Sequence, residues 1–233
     1  MIKKLVIFML PKSALEKIKR IRKQIKNFAF LAQNYGQWRT VRDWNSVDES
    51  GNPIPWYTYP AIEYLSHLHF DNFSVFEYGS GNSTLWWASR AKSVIAVEDD
   101  KKWFDKINLQ LAKNSVEYHL TTNKNDYVSM ALSDIDIFII DGKYRKECVQ
   151  HVVKTTRNNG IMLIFDNSDW YPKTIDYLKI KLGWVQIDFH GFGPINNYTW
   201  TTSVFINPMR HEELAYKNPL KSKCGLMQVA EGD

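Results

Sequence analysis

The stretch Val75–Ala88, VFEYGSGNSTLWWA, decides how this chain is read. An apolar run ends in the acid Glu77, and Gly79 and Gly81 follow, spaced by one residue. A polar pair, Ser83 and Thr84, then opens a second apolar run. Glycines just past a strand mark a sharp turn where backbone can approach a ligand. A phosphate loop of the GxxxxGK[ST] kind needs a lysine ahead of its hydroxyl, and none stands here. A dinucleotide turn needs GxGxxG, but its third glycine position holds Thr84, with Trp86 and Trp87 behind it. The remaining pattern is E-x-G-x-G-x-S, Glu77 to Ser83. A carboxylate beside such a turn repels pyrophosphate and suits a ligand with a cationic amine or sulfonium.

Working outward, Ser74–Tyr78, Ser93–Val97, Val116–Leu120, Asp136–Ile140 and Gly160–Phe165 read as short apolar strands. Helical stretches separate them: Ser83–Ala91, Lys101–Asn114, a short one near Tyr127–Leu132, and Arg145–Thr156. Pro172 suits the first turn of a helix running to Leu182, and Gly183 suits its end. Strand and helix in alternation predict βαβ units and a parallel sheet covered on both faces. Trp184–Phe189 and Thr201–Ile206 have only HGFGPINNYTW between them, so they pair as a hairpin and turn the last strand antiparallel. The expected fold is α/β: a Rossmann-like, doubly wound, mostly parallel seven-stranded sheet with an antiparallel last strand, preceded by a basic N-terminal helix.

The 233 residues suit one well-buried domain, with 34–206 as its body. Residues 34–60 read as a loop-dominated lead-in, and 207–233 as a loose polar tail. Residues 1–33 form a basic amphipathic arm. Through residue 30 it holds nine Lys/Arg against one acid, Glu16, a net +8 in a chain whose total is +5. Leu15, Ile18, Ile21, Ile25 and Phe28 recur at helical spacing within it. The first expectation is that this stripe packs on the domain. Peripheral contact with an anionic membrane comes next, and nucleic acid is the least expected partner. The apolar run Leu5–Leu10 is short and stopped by Pro11, so it reads as retained rather than as a signal peptide. Cys148 and Cys224 have neither metal-ligand spacing nor disulfide density, which points to a reducing, cytoplasmic setting.

Glu98 follows Gly79 by 19 residues, near the offset at which an acid accepts hydrogen bonds from ribose hydroxyls. An acid before the glycines and another after the second strand together favour a ribonucleoside without pyrophosphate. Here the chain resembles the class I S-adenosylmethionine-dependent methyltransferases, over roughly residues 56–206; that family's seven-stranded sheet ends in the same antiparallel pair. The resemblance implies a cofactor loop at FEYGSGNS that includes Ser83, with Glu77, Gly79 and Gly81 at the methionine end and Glu98 on the ribose. It also implies that Asp126 and Tyr127 lie where the family contacts adenine.

Asp141 in FIIDGKYRKEC and Asp166–Asn167 in MLIFDNSDWY end the fourth and fifth strands, and hard oxygen ligands of this kind suit Mg²⁺ or another divalent cation. The three resemble the metal-binding trio of the catechol and caffeoyl-CoA O-methyltransferases. The chain departs from that pattern in having Tyr144 where those enzymes carry a lysine, which makes Lys143 the candidate substitute. Without a metal, Asp141 or Asp166 is the candidate general base or orients a hydroxyl. The acceptor, a small molecule or glycan, would meet Trp56, Tyr57, Tyr59, Trp170, His190 and Tyr198. Arg145 would hold an acidic group on it or pair with Asp141. The rival readings are a nicotinamide-dependent oxidoreductase and a non-catalytic module that binds membrane or nucleic acid through the arm.

Overall fold

The computed structural model describes residues 11–111, 116–156 and 159–216. Helices α1 (Lys12–Asn34), α2 (Gln37–Asp43) and α3 (Tyr59–Ser66) precede the sheet. Then β1 (Ser74–Tyr78), α4 (Asn82–Ala88), β2 (Ser93–Glu98), α5 (Lys101–Leu111), β3 (Val116–Leu120), α6 (Lys124–Ser129) and β4 (Ile137–Ile140) alternate. They continue as α7 (Arg145–Thr156), β5 (Met162–Phe165), α8 (Pro172–Leu182), β6 (Val185–Gly191) and β7 (Trp200–Ile206).

The sheet has seven strands in the order β3-β2-β1-β4-β5-β7-β6. β7 runs antiparallel to both β5 and β6, and the other pairings are parallel. The expected architecture is present, including its antiparallel close. β4 (IFII) and β5 (MLIF) are buried along their whole length, the mark of strands covered on both faces. Side chains alternate between two cores: Val75, Ile137, Ile139 and Ile164 pack with Trp86 and Trp87 on one face. Phe76, Phe138, Ile140 and Leu163 pack with Cys148 and Val152 on the other.

Local chemistry fixes the helix ends. Asn123 caps α6 by accepting from the Asn125 and Asp126 amides, and Gly183 closes α8 in the left-handed region at φ 64°. Cys148 is a buried core thiol, and burial pushes it up to about 12; Cys224 lies outside the described residues.

Two expectations are corrected. The lead-in contains a helix, α2, which starts after Gly36 in the left-handed region at φ 75°. The stretch from 207 to 216 is not loose. Asn207 donates to the Gly160 carbonyl at 2.8 Å, a 3₁₀ turn spans His211–Glu213, and Tyr216 bridges to Leu68.

The chain leaves β1 to one side for β2 and β3, and β4 returns on the other side. The C-terminal ends of β1 and β4 therefore flank the point where strand order reverses, the place where open α/β sheets bind ligands.

Candidate active site

At that switch point lies a cavity of about 320 Å³. The β1–α4 turn supplies Ser80, Gly81, Asn82 and Ser83; the ends of β4 and β5 supply Asp141, Asp166 and Asn167, and α7 supplies Arg145. Trp44, Trp56, Trp103, Trp170, Tyr198 and Trp200 make its aromatic walls.

Gly79 shapes the turn. Its φ is +91°, and a Cβ there would come within 2.9 Å of the Gly142 backbone. Gly81 is extended and has room, with the Trp103 ring 3.7 Å from the place a Cβ would take. The turn is held from below by Glu77, which is fully buried. Its two oxygens accept from Ser83 Oγ and Thr84 Oγ1, each at 2.5 Å, while Thr84 Oγ1 also accepts from the Gly81 amide at 3.0 Å. Glu77 therefore braces the loop from beneath and does not line the cavity, contrary to the ligand contact expected of it.

Burial raises the Glu77 carboxyl to about 8, with Asp141 and Glu98 pushing the same way and the two hydroxyls pulling back. An acid that holds its proton more tightly folded than unfolded makes the fold lose stability as pH rises between the two values. For Glu77 that decline runs from about 4.5 to about 8. Glu77→Gln should remove this share of the slope. Urea unfolding at several pH values checks it, and an unchanged slope in the variant would mean the group is ionised in the fold.

Glu98 ends β2 with both oxygens engaged. Oε1 accepts from the Asp99 and Asp100 amides at 2.9 and 3.0 Å, and Oε2 from Ser80 Oγ at 2.7 Å. Ser80 lines the cavity, so displacing its hydroxyl would open Oε2 to a ligand hydroxyl.

The acidic end is organised by Arg145. Its guanidinium donates to Asp141 Oδ1 (2.9 Å), the Asp141 carbonyl (3.1 Å), the Gly142 carbonyl (3.0 Å) and Asn167 Oδ1 (3.1 Å), and also to the Asp166 carbonyl. Asp166 is buried, and its Oδ1 accepts from Trp200 Nε1 (3.0 Å) and Thr202 Oγ1 (2.6 Å). Burial raises Asp141 to about 6, restrained by Arg145. Burial and the charge of Asp141 raise Asp166 well above the usual carboxylate range. Asp141 and Asp166 thus both hold a proton more tightly than free carboxyls do, and the Arg145 guanidinium favours the ionised form of Asp141.

The expected metal trio is corrected by this arrangement. The positive charge between Asp141 and Asn167 is the Arg145 guanidinium, which engages Asp141 Oδ1 and Asn167 Oδ1, two of the oxygens such a trio would offer a divalent ion. Among the described residues no group of three His, Cys, Asp or Glu side chains is gathered to hold a metal.

Of the other expected contacts, Trp56, Trp170 and Tyr198 line the cavity. Lys143 points away and pairs with Asp99. Asp126 is exposed on α6, and Tyr127 is buried against Tyr78 and Tyr144. Tyr57 is fully buried in the core. Tyr59 lines a separate apolar groove with Tyr64 and Phe192. His190 sits on the edge strand, with Nδ1 2.9 Å from Thr201 Oγ1.

Trp44, Asn45 and Ser46, from the aperiodic lead-in, are walls that sequence reasoning missed. They are drawn in because Asn82 Nδ2 donates to Asn45 Oδ1 at 3.0 Å and to the Ser46 carbonyl. Trp44, Asn167 and Ile195, three of the four non-glycine residues with positive φ among the described residues, line this cavity. Such conformations cost on the order of 1–3 kcal/mol each and gather at functional sites.

No protein-family model matches the sequence, and no curated protein does. Among solved structures, the chain is similar to a precorrin-6y C5,15-methyltransferase from Geobacter metallireducens, at 14% identity over 63% of this chain and 86% of that one, TM-score 0.48. It is also similar to an rRNA methylase from Streptococcus thermophilus, at 15% identity over 62% and 91% of the two chains, TM-score 0.43. A third is M. capricolum TrmK in complex with S-adenosyl-homocysteine, at 9% identity over 60% and 64%, TM-score 0.45.

Proposed function

We propose that the chain transfers a methyl group from S-adenosylmethionine to an oxygen of a small molecule or glycan. One observation carries this reading. One crevice at the switch point is lined both by Ser80 and Gly81 of the glycine turn, with Glu98 directly behind the Ser80 hydroxyl, and by the Asp141 and Asp166 carboxyls.

The residues present fit the donor. Glu98 and Ser80 offer oxygen partners for ribose hydroxyls, the turn allows close backbone approach, and an ionised Asp141 among aromatic walls suits a sulfonium. Bound there, S-adenosylmethionine supplies an already activated methyl group, so the protein's task is alignment, which can be worth about 7–11 kcal/mol. Asp141, ionised at neutral pH, accepts the proton that the acceptor hydroxyl gives up. Asp166, its Oδ1 fixed by Trp200 and Thr202, stands beside that exchange. Trp56, Trp170 and Tyr198 orient the acceptor and exclude water.

The test is thermal unfolding with S-adenosylmethionine, S-adenosylhomocysteine and NAD. The first two should raise the midpoint and NAD should not, because a ligand selective for the folded state stabilises it. Stabilisation by NAD alone would favour hydride chemistry and overturn the proposal. Label transfer from the methyl donor to phenols, glycans and RNA then identifies the acceptor, and label found in RNA alone would replace the small-molecule reading.

A further inference from the structure

Of the apolar stripe of the basic helix α1, Leu15 and Ile18 are partly buried, whereas its later members are left exposed. Its C-terminal turns meet α2, with Ala29, Phe30 and Ala32 among the residues that are partly or more exposed there. Further out, Ile21, Ile25 and Phe28, spaced to fall on one face, are 43%, 61% and 73% exposed. The next helix, α2, presents Trp38 at 72% and Val41 at 47% exposure. Large apolar side chains that recur on one helical face and stay in water mark an interaction surface. Along the same helix stand Lys12, Lys17, Lys19, Arg20, Arg22, Lys23 and Lys26 against Glu16 alone. No helix among the described residues is long and apolar enough to cross a membrane.

From this we infer that α1, with Trp38 beside it, docks the protein on the surface of an anionic lipid bilayer. Charge and stripe together select that occupant. Phosphates of a nucleic acid would satisfy the lysines and arginines but leave Ile21, Ile25 and Phe28 in water. A second copy of the helix would cover the apolar stripe but bring seven cations against seven. An anionic bilayer takes both: headgroups neutralise the basic face while the apolar face and an indole enter the interface.

The full chain should co-sediment with vesicles of phosphatidylcholine and phosphatidylglycerol at least about tenfold more strongly than with phosphatidylcholine alone. The triple variant Ile21→Ser, Ile25→Ser, Phe28→Ser, altered only at exposed positions, should bind the anionic vesicles about tenfold more weakly. Its S-adenosylhomocysteine response should be unchanged. Lys17→Glu, Arg20→Glu, Lys23→Glu provides an independent check and should lose binding to the anionic vesicles, because the headgroups no longer meet a basic face. Equal sedimentation with both vesicle types overturns the inference. So does a triple serine variant that binds anionic vesicles as the parent does, which would leave only charge. Tight binding of duplex RNA that the serine changes do not affect, with no vesicle binding, reassigns the surface to nucleic acid. A dimer lost on Phe28→Ser, again without vesicle binding, reassigns it to self-association.

Discussion

Arg145→Ala should destabilise the protein by about 2–4 kcal/mol in urea unfolding, somewhat below the usual cost of removing one partner from a fully buried ion pair, because this pair is partly exposed to the cavity. The guanidinium makes five hydrogen bonds that tie the end of β4 to the end of β5. It also lies over the Phe165 and Tyr171 rings, at 5.9 and 5.3 Å. Lysine cannot reproduce a planar fork with donors in fixed directions, so Arg145→Lys should recover only a minor part. Adding Asp141→Asn to the alanine variant should restore some stability, because it removes the charge left without its partner. The same changes report on chemistry. With Arg145 present, Asp141 titrates at about 6, so activity should fall below that pH. Without the guanidinium the carboxyl rises further, and the acid limb of the pH–rate profile should move upward. A lysine variant as stable as the parent, with the same acid limb, would show that the clamp is dispensable.

Gly79→Ala should abolish stabilisation by S-adenosylhomocysteine and lower stability itself by about 1–3 kcal/mol, from the left-handed backbone alone. The added methyl would stand 2.9 Å from Gly142 Cα and N and 3.1 Å from the Asp141 carbonyl carbon, so the two loops flanking the switch point must part. Gly81→Ala is the contrast. That residue is extended, and its methyl would make an ordinary contact with Trp103, so stability should change by no more than about 0.5 kcal/mol. Equal unfolding midpoints for the two variants would remove the backbone argument for Gly79.

Much of the fold is legible in the sequence because each parallel strand is a short apolar run bounded by turn residues. β1 and β3, the helix Arg145–Thr156 and the helix Pro172–Leu182 have the bounds that patterning predicts. Proline at a first turn and glycine after a last one act locally, through φ and a missing N–H, and need no tertiary partner to be read. The hairpin of β6 and β7 follows from the same logic, since no helix separates the two strands. The lead-in resists such reading: WRTVRDW has no clean apolar stripe, and helix α2 there is set by the Gly36 turn and by packing against α1.

The candidate site divides along a similar line. Gly79, Gly81, Glu98, Asp141 and Asp166 sit at strand ends, and βαβ topology alone carries strand ends to one edge of the sheet. Side-chain direction is another matter. Whether Glu77 meets a ligand or the underside of its own loop depends on Ser83 and Thr84 turning their hydroxyls inward. Whether the charge between Asp141 and Asn167 is a metal or a guanidinium depends on the first residue of α7 reaching back across two strand ends. Whether the stripe of α1 is covered depends on where the helix leaves the domain. By itself the sequence determined the sheet, its switch point and the acids and glycines gathered there, because periodicity and turn chemistry are local. Only the tertiary structure decided which of those groups face the cavity, because that rests on hydrogen bonds between residues far apart in the chain.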